Sequence, residues 1–112
     1  MVTYRSLSEL EDAHDQERSA ARMRIDSAEQ YIGHYRSRIN QVAEELYGLG
    51  AHKGVVDDPG FRAELRRVTD TASENVAYTG RRIGELEDEY DAMLRGQDEQ
   101  RERFLAERLD AD

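Results

Sequence analysis

Apolar residues recur along the first half of the chain at steps of three and four, the spacing of a helix that packs against another helix. From Ile25 onward this stripe consists of Ile25, Ala28, Ile32, Tyr35, Ile39, Val42, Leu46 and Leu49. Towards the N-terminus it continues through Ala21, Glu17, His14, Leu10 and Leu7, with two successive steps of four at Ala21. Ser6-Leu7-Ser8-Glu9 has the pattern of a capping box, which marks a helix start. The pattern predicts a first helix over about residues 6–48.

A second apolar stripe follows, and it predicts a second helix over about residues 59–106. It consists of Phe61, Leu65, Val68, Ala72, Val76, Thr79, Ile83, Leu86, Tyr90, Met93, Gln97, Gln100 and Phe104. Asp58 suits the N-cap, and Pro59 at the first helical position gives up an amide that would be unpaired there. Residues 69–75 are rich in Thr, Ser, Asp and Asn, so the sequence leaves open whether the second helix kinks there.

The segment between the stripes, YGLGAHKGVVDDPGF, holds four of the eight glycines and the only proline. It follows a predicted helix and lacks the Gly-Lys-Ser/Thr end of a phosphate-binding loop, so we interpret it as a turn. We expect the turn at about residues 49–58. Gly48, Gly50 and Gly54 would end the first helix, and Asp58 and Pro59 would start the second.

Folding the chain back at this turn pairs positions whose numbers sum to about 111. The predicted fold is therefore all-α: a single domain, residues 1–112, that forms a long antiparallel two-helix hairpin resembling a coiled coil. The register sets Ile39 opposite Ala72 and Ala21 opposite Tyr90.

The same register sets Tyr31 beside Gly80 and Gly33 beside Tyr78. One interpretation is that the helices approach closely there, with residues 80–84 as a patch of small residues. The other is that these glycines lie on an exposed face.

A hairpin buries only one stripe per helix, and this chain is lean in apolar residues, with 38% hydrophobic against 37% charged. Burying one stripe offsets little of the conformational entropy lost on folding, which costs about 1.5 kcal/mol per residue. We therefore expect a second contact that completes a helical bundle, by dimerisation or by binding a partner. The side chains available for it, off the stripes, are Tyr31, Tyr47, Val55, Tyr78 and Leu94.

Composition excludes several classes of protein. The chain has no cysteine, so it forms no disulfide framework, and no apolar run is long enough to insert into a membrane. The net charge of −9 argues against nucleic-acid binding, and the arginines are spread among acids in pairs such as Glu64 with Arg67. Since the N-terminus lacks the apolar core of a Sec signal, we expect a cytoplasmic protein, or export by a signal-peptide-independent route.

Charge is unevenly distributed along the chain. Residues 1–17 carry one arginine and five acidic residues, and residues 85–112 carry four arginines and eleven acidic residues. In an antiparallel hairpin these segments share the open end. The acids form either a solvated tip or a surface that rejects parallel self-pairing and selects a basic partner or a staggered antiparallel dimer. The second case predicts salt-sensitive binding.

Catalytic and metal-binding patterns are sparse. Glu11-x-x-His14 has the spacing used by di-iron carboxylate proteins, but the facing layer in the predicted register is Gln97 with Gln100 rather than glutamates. His34 and His52 have no partner at a catalytic spacing, and no Ser/His/Asp grouping suggests a nucleophile. The sequence therefore predicts no enzyme activity, cofactor or metal, with a di-iron protein as a remote alternative.

The turn and both ends of the second helix support a family resemblance. Tyr47-Gly48-Leu49-Gly50 at the turn, Phe61 after Asp58-Pro59, and the polar tail from Gln97 to Arg108 resemble the small helical-hairpin partners of type VII secretion, both the WXG family and the targeting chaperones of LXG toxins. The chain lacks the Trp-x-Gly turn and a Tyr-x-x-x-Asp/Glu export motif. The resemblance therefore implies a helper that binds the N-terminal helical region of a toxin and travels with another protein that bears the export signal.

The function expected on this basis is that of a non-enzymatic adaptor or targeting chaperone that pairs with a partner's long helices. The partner-binding residues expected are Tyr31, Tyr35, Tyr78, Tyr90, Gly80 and Gly84. Of the tyrosines, Tyr35 and Tyr90 suit packing between the two helices better than the other two do. The alternatives are a self-associating structural coiled coil, such as a phage or scaffold component, and an antitoxin-like binder of a basic toxin.

Overall fold

The computed structural model describes residues 4–111, which form two long helices joined by a short turn. Helix α1 spans Leu7–Lys53 and helix α2 spans Pro59–Ala111. The part of the chain that the structure describes contains no strand. The predicted all-α helical hairpin is therefore confirmed.

The chain divides into two compact units, each built from one segment of α1 and one of α2. Unit 1 comprises Met1–Asp26 and Gly84–Asp112, and unit 2 comprises Ser27–Ile83 with the turn. The antiparallel register is as predicted within each: His14 contacts Gln97 in unit 1, and Tyr35 contacts Asn75 in unit 2.

The start of α1 is fixed by Ser6. The Glu9 amide donates to the Ser6 hydroxyl at 3.1 Å, and the Leu10 amide donates to the Ser6 carbonyl at 3.1 Å. Ser6 is therefore the N-cap, as the capping-box pattern predicts, and the helix itself begins at Leu7.

The end of α1 differs from the prediction, because the helix continues five residues past Gly48 to Lys53. Among the described residues only Gly54 has a positive φ, of 72°. Its amide donates to the Ala51 carbonyl at 3.1 Å, and the Val55 amide donates to the Gly50 carbonyl at 2.9 Å, which together form a Schellman motif. Gly48 and Gly50 therefore do not belong to the turn. One left-handed residue is enough to end a helix, and Gly54 supplies it.

Helix α2 begins as predicted and extends further than predicted. The carboxylate of Asp58 accepts from the Phe61 amide at 3.0 Å, which makes Asp58 the N-cap with Pro59 at the first helical position. The helix runs without a break through residues 69–75 and ends at Ala111 rather than near Ala106. Within that polar stretch Thr69 donates its hydroxyl to the Arg66 carbonyl, so its competing hydrogen bond is made inside the helix.

The seam, the stripe of each helix that faces the other, follows the predicted positions along α2. Every predicted seam residue of α2 is buried or half-buried. On α1 the exceptions are Glu17, Val42 and Leu49, which are exposed. Arg18 and Ala43 are half-buried and Gly50 is buried, so the seam passes one position later at these three places.

The interior is small. Among the described residues the buried apolar side chains are Leu10, Ala21 and Ile25 in unit 1 and Ala72 in unit 2. The close helix approach proposed at Gly33 and Gly80 is wrong, because a Cβ added at either glycine would meet nothing within 4 Å, and the same holds at Gly84. Gly33 and Gly80 are exposed, which is the second interpretation above, and Gly84 is half-buried.

Candidate partner-binding surface

Unit 2 exposes most of the large apolar side chains that the structure shows at the surface. Its seam is only half-buried outside Gly50 and Ala72. Six of the nine exposed large hydrophobic side chains belong to it: Tyr31, Val42, Tyr47, Leu49, Val55 and Tyr78. Of the side chains predicted to be available for a second contact, only Leu94 is half-buried rather than exposed. Unit 2 therefore has a thin interior and an apolar surface.

Three of the predicted partner-binding tyrosines meet in one groove of unit 2. The groove has a volume of about 380 Å³, and we call it the tyrosine groove. It is lined by Tyr31, Ile32 and Tyr35 of α1 and by Asn75, Tyr78 and Thr79 of α2. None of these six side chains carries a charge.

The rings of the tyrosine groove differ in how they are held. Tyr31 and Tyr35 stack with their ring centroids 6.2 Å apart and their planes 19° apart. The Tyr35 hydroxyl accepts a hydrogen bond from the Asn75 amide group at 2.9 Å, which ties the half-buried ring to α2. Tyr31 is 61% exposed and Tyr78 is 65% exposed. Tyr35 is thus held against α2, whereas Tyr31 and Tyr78 each expose most of an aromatic ring.

Tyr90 lies elsewhere. It is half-buried in unit 1, where it lines a crevice with Ala21 and Met93, and the Arg22 guanidinium lies 5.7 Å from its ring centroid. This distance allows a cation–π contact. The contact of Tyr90 with α1 confirms its predicted place opposite Ala21. Gly84 also belongs to unit 1, and Gly80 belongs to unit 2 but does not line the tyrosine groove.

Sequence reasoning missed Asn75 as a member of the groove. The sequence pattern marks Asn75 only as one of the polar residues that weaken the helix over 69–75. The predicted register does place Asn75 near Tyr35, because their numbers sum to 110, close to the 111 of facing positions. An Asn side chain at that place can donate to a tyrosine hydroxyl.

Unit 1 is crossed by a layer of polar side chains, which we call the polar layer: His14, Glu17, Arg18, Gln97 and Gln100. His14 is 4% exposed and Gln97 is 5% exposed. The Gln97 amide nitrogen donates to the His14 carbonyl at 3.1 Å and to the Glu17 carboxylate at 3.2 Å. Its oxygen accepts from the Arg18 guanidinium at 3.3 Å. His14 Nε2 lies 2.9 Å from the Gln100 side-chain oxygen, which can only accept, so the ring nitrogen is the donor.

The polar layer meets its hydrogen-bonding needs within the chain. No buried side-chain nitrogen or oxygen of the described residues lacks a partner. Glu11 pairs with Arg101 at 3.2 Å, and Arg18 also pairs with Asp15. Glu11 and His14, the pair with di-iron spacing, are thus both engaged with α2. The described residues contain no group of three or more His, Asp or Glu side chains that could hold a metal ion.

Net charge is confined to unit 1. Unit 2 has eight basic and eight acidic residues, whereas unit 1 has eight basic and seventeen acidic residues. The predicted pair of Glu64 with Arg67 forms in unit 2 at 3.4 Å. The formal net charge of −9 therefore belongs entirely to unit 1, and the tyrosine groove lies in a neutral unit.

Neither helix, over the residues described, is long and apolar enough to cross a membrane. Comparisons of the chain with protein families, with curated proteins and with solved structures give no match.

Proposed function

We propose that this protein is a non-enzymatic helical adaptor or targeting chaperone that binds the helical region of a partner protein. The observation that carries the proposal is the imbalance within unit 2, where six large apolar side chains are exposed around an interior in which only Ala72 is a buried apolar residue. Packing further helices against such a pair buries that surface, and bundles with four helices are the usual result.

The resemblance to the hairpin partners of type VII secretion extends the proposal to a client. The client would be an LXG-type toxin whose N-terminal helical region joins the hairpin, with the pair exported together by a route that needs no signal peptide. The short turn that begins at Gly54 and the two long helices are compatible with such a role.

Co-purification tests the proposal. The tagged full chain is expressed in the organism that encodes it, isolated at moderate salt, and its associated proteins are identified by mass spectrometry. We expect one helical protein at a stoichiometric ratio. Co-expression of the two chains is then expected to raise helicity and melting temperature above those of either chain alone, because each buries surface the other leaves exposed.

Self-association is the competing function, since a second copy could also cover unit 2. Light scattering on the isolated protein separates the two. A highly stable homo-oligomer that recruits no other chain would overturn the adaptor proposal and support a structural coiled coil.

A further inference from the structure

We propose that the polar layer of unit 1 fixes the register of the hairpin. Its buried hydrogen bonds are made only when α1 and α2 pair as they do in this structure, so they exclude a slip of one helix along the other. The layer is buried at its centre, where His14 is 4% exposed and Gln97 is 5% exposed. A buried polar residue on the seam of a coiled coil can select one register at a cost in stability. This role goes beyond the proposed function and does not depend on it.

The apolar seams by themselves allow a second register. Both have steps of three and four, so a slip by one seven-residue repeat again sets apolar positions opposite each other. The numbers of facing positions would then sum to about 104 instead of about 111. Ile39 would face Leu65 instead of Ala72. Ile32 would take the place opposite Ala72. Because apolar burial has no direction, these contacts select only weakly between the two registers.

The turn also allows the second register. The slip requires α1 to end earlier and the turn to be longer. In the structure α1 runs past Gly48, but glycine is the residue that most often follows the end of a helix, and an end near Gly48 would leave residues 49–58 for the turn. Phe61 would move from Gly50 to a place opposite Ala43, which is also small. The turn therefore does not exclude the slip.

The polar layer does not allow the second register. Gln97 would face Leu7, whose side chain has no hydrogen-bonding group. The Gln97 amide would lose its two acceptors, the His14 carbonyl and the Glu17 carboxylate. His14 Nε2 would lose the Gln100 oxygen that it donates to. A buried polar group left without its partners is strongly unfavourable, so the layer selects the register that is observed.

The hydrogen bond between the helices in unit 2 does not have the same effect. Asn75 donates to the Tyr35 hydroxyl at a place exposed to solvent, where water can take over either partner after a slip. Both helices are continuous, so α2 cannot slip along α1 in unit 2 alone without a break in one of them. The register is therefore decided by the buried bonds of the polar layer.

Spin-label distances measure the register in the full chain. The chain has no cysteine, so Met23→Cys and Arg103→Cys give two labelled positions and no others. Both residues are exposed and belong to unit 1, one on each helix. A slip of seven residues lengthens the distance between the labels by about 10 Å, at about 1.5 Å per residue. Double electron–electron resonance reports this distance within one molecule when the labelled chain is diluted in unlabelled chain.

Three variants are compared on this labelled background. His14→Leu with Gln97→Leu replaces the centre of the polar layer by apolar side chains. Gln97→Leu alone is the milder change and decides the question if the double variant does not fold. Tyr35→Phe is the matched control, because it removes the hydrogen bond between the helices of unit 2 and leaves the polar layer intact.

The parent chain and Tyr35→Phe should each give one distance. The double variant should remain helical and give a second distance about 10 Å longer, and Gln97→Leu should give the same second distance in a smaller fraction of molecules. One distance in every folded variant would overturn the inference. A second distance in the parent chain or in Tyr35→Phe would also overturn it, because the polar layer would then not be what selects the register. Loss of helicity in both leucine variants would have the same consequence, since the layer would then be needed for folding itself.

Discussion

Of the glycines that the structure describes, Gly50 has the least room for a side chain. It lies inside α1 with ordinary helical φ, yet a Cβ built there would come within 2.4 Å of Phe61 Cζ. Gly48, two residues earlier in the same helix, has nothing within 4 Å of such a Cβ. The two glycines therefore serve different purposes. Gly48 lowers helix propensity at a position where a side chain would fit, and Gly50 leaves space for the Phe61 ring near the start of α2.

This difference gives a matched pair of substitutions. Gly48→Ala should raise the free energy of unfolding by about 0.5–1 kcal/mol, the usual gain of alanine over glycine in a helix. Gly50→Ala has the same gain in helix propensity but must displace the Phe61 ring, so it should be less stable than Gly48→Ala by about 1–3 kcal/mol. Urea unfolding of both variants measures the difference. Phe61→Ala provides the control, because removing the ring should abolish it; equal stabilities of the two glycine variants would refute the steric explanation.

The limits of sequence reasoning are also visible at this residue. The apolar pattern selects Leu49 as the seam position, since periodicity scores side chains and a glycine has none. The structure instead buries Gly50 and leaves Leu49 exposed, and it half-buries Ala43 and leaves Val42 exposed. At Gly50 the facing helix supplies the Phe61 ring, and the seam uses a residue without a side chain. Hydrophobicity alone does not report that exchange of volume between two helices.

At the scale of elements, the helices and their register follow from the sequence because their signals are local and repeated. Caps at Ser6 and Asp58 and two long apolar stripes determine where each helix starts and which face it buries. The end of α1 was less predictable, since three glycines could each have ended it and only Gly54 adopts a positive φ. The sequence predicts the three tyrosines of the tyrosine groove but not Asn75. Asn75 joins the groove through a hydrogen bond between the two helices, which no local pattern reports.

The polar layer allows a test of which hydrogen bonds hold α1 and α2 together in unit 1. Gln97→Glu replaces the amide nitrogen that donates to the Glu17 carboxylate at 3.2 Å by an oxygen that cannot donate. It also loses the bond to the His14 carbonyl. We expect a loss of about 1–3 kcal/mol in the free energy of unfolding, because a buried acceptor loses its partner and two acids face each other.

Gln100→Glu is the matched control for this prediction. The Gln100 oxygen accepts from His14 Nε2, and a glutamate oxygen can accept in the same place. Its effect should stay within about 0.5 kcal/mol, which is typical of substitutions that keep their contacts. Chemical denaturation of the two variants at one pH gives both values, and a loss at Gln100 as large as that at Gln97 would contradict the assigned donors.

At the scale of the whole molecule, the two units are stabilised by different interactions. Unit 1 holds the polar layer, all of the net charge, and three of the four apolar side chains that are buried among the described residues. Unit 2 is neutral and thinly packed, with its apolar surface exposed. Repulsion among seventeen acids opposes the folding of unit 1 at low ionic strength, and screening relieves it. Salt should therefore stabilise one unit and not the other.

Amide hydrogen exchange resolves the two responses in a single sample. Between about 10 and 150 mM salt the Debye length falls from about 30 to about 8 Å, so protection factors in unit 1 should rise while those in unit 2 change little. Neutralising one exposed acid in each unit checks the cause. Glu87→Gln should raise protection in unit 1 and weaken its salt response, whereas Glu45→Gln should leave unit 2 nearly unchanged. An equal salt response in both units would mean that the segregated charge does not control stability. The acids of unit 1 would then be explained by solubility or by a binding partner.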